Sequence, residues 1–364
     1  MLSKLLFLWW IILTASIYLA QSYTKPTGPH CFTEIIPFCK NDKDLAYPYI
    51  TSKLVSHHPN LPNSLEYVTN SRGQKVHVRT YWPTGAPVKS IVFFLHGYSG
   101  HSNGPPISYI AKEFNAQQIA CVMLDFHGHG YSDGERGLVT DYRDLIDDTA
   151  AVIEAVYSPS PSHDRHLRIP SIAQQYPFFV CGFSMGGATA MAVSYMLTDP
   201  TNTQFAKFRH HFRGTILAAP MIEVEISQLS RWSLKSPMAQ MLDKLPFEIS
   251  TYVNTSDIWS NRRYVEYIET DPLTYWNVPW IKSIQSAFEF TDAIHELIPK
   301  ISYPFIVFHD PDDTITKITG SYRLMEEAAS SNKQMVLLLG GKHDVIANRA
   351  HSFVHRAIQW IRDL

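Results

Sequence analysis

The chain has 364 residues, 45% of them hydrophobic, with a formal net charge of −2 and four cysteines. That is enough for one large domain or two small ones with a full core. The near-neutral balance excludes nucleic acid as a main partner, and the short basic cluster Lys207, Arg209, His210, His211 and Arg213 reads as a solvated surface.

At the start, Lys4 precedes an apolar stretch from Leu5 to Ala20, followed by Gln21-Ser22. A positive start, a short apolar core and small residues after it read as a secretory signal. The stretch is shorter than the ~18–20 residues of a membrane-spanning helix. Residues 1–22 are therefore expected to be a leader ending at Ser22, which makes the protein secreted or lumenal in the endomembrane system. Trp9 and Trp10 are unusual in a signal core and leave an uncleaved membrane anchor as the alternative. Residues 23–63, rich in Pro, Asp and Lys and without clear period, read as an extension wrapped on the surface. Within it Cys31 and Cys39 lie close enough in sequence to bridge in an oxidising compartment. Cys121 and Cys181 fall inside apolar runs and read as buried free thiols. Asn254-Thr255-Ser256 is a glycosylation sequon.

From residue 64 to the end the pattern is that of a folded domain. Glu66–Thr69 and Val76–Trp82 alternate around Asn70-Ser71-Arg72-Gly73, as a hairpin does. Short apolar runs follow at Ile91–Leu95, Ile119–Leu124, Phe178–Cys181, Thr215–Ala218, Phe305–Phe308 and Met335–Leu339. Each reads as a strand buried on both faces. Leu145, Ile146, Val152, Ile153 and Val156 mark an amphipathic helix, and Val354, Ile358 and Ile361 mark the last one. Strand–helix alternation gives an α/β fold with a mostly parallel sheet between helices. Residues 221–298 break the alternation. Met238, Met241, Leu242 and Leu245 have helical spacing near Trp232, Pro246 and Phe247, and Tyr275, Trp276 and Trp280 follow. This is the pattern of a helical cap inserted over the sheet's carboxyl edge, where ligands bind in such folds. Part of its Met and aromatic content serves its own core, and the rest lines an apolar entrance.

The chemistry centres on Gly182-Phe183-Ser184-Met185-Gly186, between the run Phe178–Cys181 and a helical stretch Ala188–Met196. Gly-x-Ser-x-Gly at a strand-to-helix junction is a nucleophile elbow. The strained turn lifts the hydroxyl above the sheet, and the flanking glycines are needed because backbone passes close by. A Ser hydroxyl needs a base, and the expected order is acid, then His. The strand Phe305–Phe308 ends in His309-Asp310-Pro311-Asp312-Asp313, and the strand Met335–Leu339 in Gly340-Gly341-Lys342-His343. His343 is the candidate base. Asp310, Asp312 and Asp313 compete for the acid, and the pattern alone does not choose between them. Asp310-x-Asp312-x-Thr314 also has the spacing of a calcium loop, but it lacks the Gly and the closing Glu. Neither metal nor cofactor is expected. The loop His96-Gly97-Tyr98-Ser99-Gly100 follows the strand Ile91–Leu95, and its Tyr98 amide with the Met185 amide is the candidate oxyanion hole. His96 reads as structural.

The constellation resembles the α/β-hydrolase superfamily, and within it the monoacylglycerol lipase / lysophospholipase group, from about Glu66 to the C-terminus. The likeness rests on blocks in order: Phe94-Leu95-His96-Gly97 with Gly100-His101-Ser102, Asp125 through Gly134, Gly182 through Gly187, Thr270-Asp271-Pro272-Leu273, and His309 through Asp313 with Ile315. The family's His-Gly-x-x-Asp pattern implies Asp313 as the acid, with Asp310 standing where the family has Gly. It also implies hydrolysis of a single-chain lipid ester through an acyl-enzyme, with an apolar tunnel under the cap. The apolar content of the cap itself motivates a further expectation, peripheral contact with a membrane or micelle. Gly100 and Pro105 stand where the animal-type lipases carry a Glu and an Arg linked to the glycerol end, so the head group stays open between monoacylglycerol and lysophospholipid. The alternatives are acyl transfer to an alcohol, another carboxylesterase activity on the same fold, and a non-catalytic lipid-binding protein.

Overall fold

Runs of apolar residues without alternation can be satisfied only where both faces of a strand are covered, and the central strands form on them. The computed structural model describes residues 34–36, 63–85, 87–157, 175–224, 255–277 and 279–364. Its strands are β1 (Glu34–Ile36), β2 (Asn63–Thr69), β3 (Lys75–Tyr81), β4 (Ser90–Leu95), β5 (Ile119–Leu124), β6 (Phe178–Phe183), β7 (Phe212–Ala218), β8 (Phe305–His309) and β9 (Lys333–Leu338). They form one sheet in the order β1-β9-β8-β7-β6-β4-β5-β3-β2. The pairs β2–β3 and β3–β5 are antiparallel, and every other pair is parallel. Every residue of β4, β5 and β8 is buried.

Helices cover both faces. Among the described residues these are α1 (Pro105–Ala116), α2 (Arg143–Tyr157), α3 (Met185–Thr198), α4 (Thr255–Ile258), α5 (Arg262–Thr270), α6 (Ile281–Leu297), α7 (Ile318–Glu327), α8 (Val345–Asn348) and α9 (Ala350–Asp363). Side chains of α2, α3 and α6 join one core cluster with Phe93, Val180 and Val307 from one face of the sheet. Those of α1 and α9 join a second with Val92, Cys181 and Phe308 from the other. Both expected free thiols, Cys121 and Cys181, are buried in this second cluster.

The strands and the two helices read from periodicity form at or within a few residues of the expected positions. Two elements differ. β3 is buried at all but its first residue. Its polar members are covered as well as its apolar ones, because His77 pairs with Asp125 and Arg79 bonds Asn103 and Tyr81. β1 lies in the segment read as an aperiodic extension, and it extends the sheet by pairing parallel with β9, Ile35 opposite Leu337. Its three residues are too few to show a period.

The leader, Cys31, Cys39, the sequon Asn254 and the apolar cluster from Trp232 to Phe247 lie outside the described residues. Of the expected cap, the structure describes 221–224, 255–277 and 279–298. Within that stretch α6 lies against the main core. Its Phe290 and Ile294 share the cluster of Ala188 and Met191 from α3, and Phe290 stacks on Tyr142 at 4.5 Å, 12° from parallel.

Candidate active site

β6 lies between β4 and β7, and its last residue Phe183 runs directly into α3 at Met185. Ser184 occupies the junction with φ 53° and ψ −117°, a strained conformation for a residue with a Cβ. The flanking glycines are needed for space. A Cβ on Gly182 would overlap the Gly186 carbonyl, and one on Gly186 would overlap that of Leu95. Ser184 N–H donates to Ala218 O at 3.0 Å, and its carbonyl accepts from Gly187, Ala188 and Met221, so strong local bonds hold the turn.

β8 and β9 are neighbours that run parallel to β6, so the loops after them reach the edge of the sheet where Ser184 stands. Ser184 Oγ lies 3.0 Å from His343 Nε2, and His343 Nδ1 lies 2.8 Å from Asp313 Oδ2. A carboxylate oxygen only accepts, so Nδ1 carries the ring hydrogen and Nε2 is left to accept the Ser184 hydroxyl hydrogen. Ser184 and His343 are buried, and the side chain of Asp313 is fully covered. Burial opposes the charge on Asp313. The charge of His343 and hydrogen bonds from His309 and His343 more than offset it, and the carboxyl is held well below the usual carboxylate range.

Of the acids that the pattern left open, Asp313 contacts His343. Asp310 instead accepts Asp312 N–H at 3.1 Å and Lys342 N–H at 2.6 Å, tying the loop after β8 to the loop that carries His343. Burial raises its pKa.

Gly97 presses against the elbow: a Cβ there would sit 3.1 Å from Ser184 Cβ and 3.0 Å from the Phe183 ring. That places the following amide, Tyr98, beside the Ser184 turn. Neither the Tyr98 nor the Met185 amide donates to a backbone carbonyl among the described residues, and the first amide of a helix has no intrahelical acceptor. The Tyr98 hydroxyl points away and donates to Gly137 O at 2.6 Å. His96 is structural in its contacts. Its Nδ1–H donates to Gly97 O at 2.7 Å, and its Nε2 accepts Phe126 N–H at 3.0 Å.

Motif blocks that carried no chemistry of their own brace this loop. Asp125 accepts Ser102 N–H at 2.5 Å, Tyr131 N–H at 2.9 Å and His77 Nδ1–H at 2.8 Å. Gly130 follows a left-handed φ of 52°, and a Cβ there would overlap the Asp125 carboxylate. His101 Nε2 meets Asp271 Oδ2 at 2.7 Å, joining the loop to the segment after α5. Nothing in a separation of 170 residues announces that contact. A second contact missed by sequence reasoning lies beside His343. Trp259 Nε1–H donates to Asp344 Oδ2 at 2.7 Å. The Asn348 amide donates to Ile258 O at 2.8 Å and to Gly341 O at 2.6 Å, while its oxygen accepts Ser260 N–H at 3.0 Å.

Comparison with known proteins gives this geometry a family. The model of the family described as serine aminopeptidase, S33 (Hydrolase_4) matches residues 86–350, well over half of the chain. The chain belongs to this family. This S33 member is 25% identical over 308 residues to the monoglyceride lipase of Rattus norvegicus, covering 83% of this chain and 92% of the relative. It is 23% identical over 297 residues to the caffeoylshikimate esterase of Arabidopsis thaliana, covering 78% and 79%. Its fold matches a soluble variant of monoglyceride lipase from Saccharomyces cerevisiae, solved with a substrate analogue. The TM-score is 0.65 at 19% identity, over 85% of this chain and 96% of that one. The S33 chain is an α/β-hydrolase and an enzyme of the carboxylic ester hydrolase kind.

Proposed function

We propose that this S33 hydrolase cleaves the ester of a single-chain lipid, a monoacylglycerol or a lysophospholipid, through an acyl-enzyme on Ser184. The observation that carries the reading is the hydrogen-bonded line Ser184 Oγ, His343 Nε2, His343 Nδ1, Asp313 Oδ2 at 3.0 and 2.8 Å, set on a strained elbow beside the Gly97 loop. Ser184 Oγ attacks the ester carbonyl as His343 Nε2 takes its proton, and the carbonyl oxygen becomes an oxyanion facing the Tyr98 and Met185 amides. Collapse breaks the bond to the alcohol, which leaves with the proton from His343. Water then gives a proton to His343 and its oxygen to the acyl carbon. The second collapse releases the fatty acid and returns the proton to Ser184. Asp313 stays ionised throughout and holds the ring in the tautomer the first step needs.

The lipid class rests on the monoglyceride lipase relatives and on the apolar composition of the cap. The head group is the open variable, because Gly100 and Pro105 lack the polar groups that would hold glycerol. We place the reaction in the secretory pathway on the strength of the leader, residues 1–22, with the cap as the part that meets a membrane or micelle.

The test is a panel of monoacylglycerols, lysophospholipids and a caffeoyl ester, read beside fluorophosphonate labelling, with Ser184→Ala as the blank. Turnover of one of the lipids, with neither turnover nor labelling in the variant, is the expected result. Full labelling of Ser184→Ala overturns the nucleophile, and turnover confined to the caffeoyl ester overturns the lipid class.

A further inference from the structure

Asp313 is held by two histidines. His343 Nδ1 lies 2.8 Å from its Oδ2, and His309 Nε2 lies 3.1 Å from the same oxygen. His309 is the last residue of β8 and is fully buried. Its tautomer follows from its partners. Nε2 faces Asp313 Oδ2 and, also at 3.1 Å, Thr316 O. Both are acceptors only, so Nε2 carries a hydrogen whatever the charge of the ring. Nδ1 meets Ser321 Oγ of α7 at 2.8 Å, a hydroxyl that can donate or accept. The ring is thus fixed at both nitrogens, and one of them points a permanent donor at the acid.

We propose that His309 is a positioning residue for the reaction, holding Asp313 by a second histidine hydrogen bond on the oxygen that orients His343. The inference rests on the reading of Ser184, His343 and Asp313 as nucleophile, base and acid. The physical argument concerns sharing. Asp313 Oδ2 also accepts Thr316 Oγ1–H at 2.8 Å, so three donors divide one oxygen. His309 and Thr316 restrict where that oxygen can go, which fixes the aim of the His343 ring. They also draw off part of its negative charge, so the carboxylate pulls less strongly on the His343 Nδ1 hydrogen than one serving it alone would. The charged groups coupled to His309 are Asp313 and Asp310, the latter held by the Lys342 and Asp312 amides. Ser321 brings no charge.

The test compares His309→Leu, His309→Gln and Ser321→Ala by kcat, KM, the pH profile of kcat/KM and thermal unfolding, with Ser184→Ala and Asp313→Asn alongside. His309→Leu is expected to lower kcat roughly ten- to hundredfold with KM little changed, the scale of losing one hydrogen bond to a charged group. Its acidic limb should move up by about one pH unit, because the carboxylate then serves fewer donors and favours the charged imidazole. His309→Gln keeps an N–H donor in reach of Asp313 and should restore most of kcat and the position of the limb. Ser321→Ala frees His309 Nδ1 without touching Asp313 or His343, and should shift the limb the same way by less.

Wild-type kcat in His309→Leu overturns the proposal. So does a loss shared equally by Leu and Gln with an unmoved limb, the mark of packing alone. If His309→Leu fails to fold, Ser321→Ala decides, and an unmoved limb there overturns the proposal. The underlying reading fails separately: Ser184→Ala still labelled removes the nucleophile, whereas Ser184→Ala and Asp313→Asn silent beside an unaffected His309→Leu removes the positioning role only.

Discussion

Asp313 accepts from His343, His309 and Thr316 Oγ1 on one oxygen and from the amides of Ile315 and Thr316 on the other. A carboxylate so surrounded has one orientation and stays ionised, which is what holding an imidazole tautomer requires. Asp313→Asn turns one oxygen into an amide donor that faces other donors, and favours the wrong tautomer of His343. A fall in kcat of about 10⁴-fold is expected. Asp310→Asn keeps an acceptor for one of its two amide partners and should stay within about tenfold of wild type, at the cost of one weakened hydrogen bond. Steady-state rates on a short-chain ester compare the two. Equal losses would mean that the acid is not Asp313 alone. Gly182 is constrained by space, since a side chain there meets the Gly186 carbonyl, which is fixed backbone and not a movable rotamer. Gly182→Ala is expected to destabilise by about 3 kcal/mol or to leave no soluble protein, read by urea unfolding.

At the scale of elements, legibility followed burial. β4, β5 and β8 were readable because strands covered on both faces must be apolar throughout. Ser184 and His343 stood out as candidates because each follows an apolar strand, whereas Asp313 was singled out among three acids only by the family's His-Gly-x-x-Asp pattern. β1 was not, since an edge strand of three residues pairs through its main chain and leaves little mark in side chains. Asp125, His101 and Asp271 stood in the quoted motif blocks, but their pairing, Asp125 with His77 and His101 with Asp271, is a product of topology. The junction between the segment after α4 and the loop carrying His343 was hidden for the same reason. There Asn348 bonds Ile258, Ser260 and Gly341, and Trp259 bonds Asp344, the neighbour of His343. Asn348→Asp keeps the acceptor and removes both donors, leaving the carbonyls of Ile258 and Gly341 facing a charge. The loop carrying His343 and the segment between α4 and α5 should loosen together. The expected outcome is a severalfold fall in kcat, with limited proteolysis near residue 258 accelerated more than at the core. Cleavage and kcat both at wild-type levels would show that this junction does not steady the loop carrying His343.

For the whole molecule, the response to acid follows from histidines buried as neutral rings. Burial, only partly opposed by the charge of Asp125, lowers the pKa of His96 to about 4. Burial and the charge of His96 lower that of His129 to about 3. The geometry agrees: protonating His96 would turn its Nε2 into a donor facing the Phe126 amide, and His129 Nε2 has no partner among the described residues. The unfolded chain takes up these protons near pH 6.5 and the folded chain does not, so their contribution is whole above about pH 6.5 and drains away as pH falls toward 4. Each fully buried ring accounts for roughly 3 kcal/mol over that interval. Asp125, Asp148 and Asp313, all held below the carboxylate range, have the same sign but act lower, below about pH 4. Urea unfolding at pH 7.5, 6.0 and 5.0 should therefore show stability falling before Asp125, Asp148 or Asp313 titrates. His129→Phe should flatten the fall by about half, because it removes one of the two rings and fills the same space. A curve level from pH 7.5 to 5.0 would mean that neither ring is held neutral against a charged unfolded form. With the slope present, a medium near pH 5 would cost this hydrolase several kcal/mol, so the fold is suited to near-neutral surroundings.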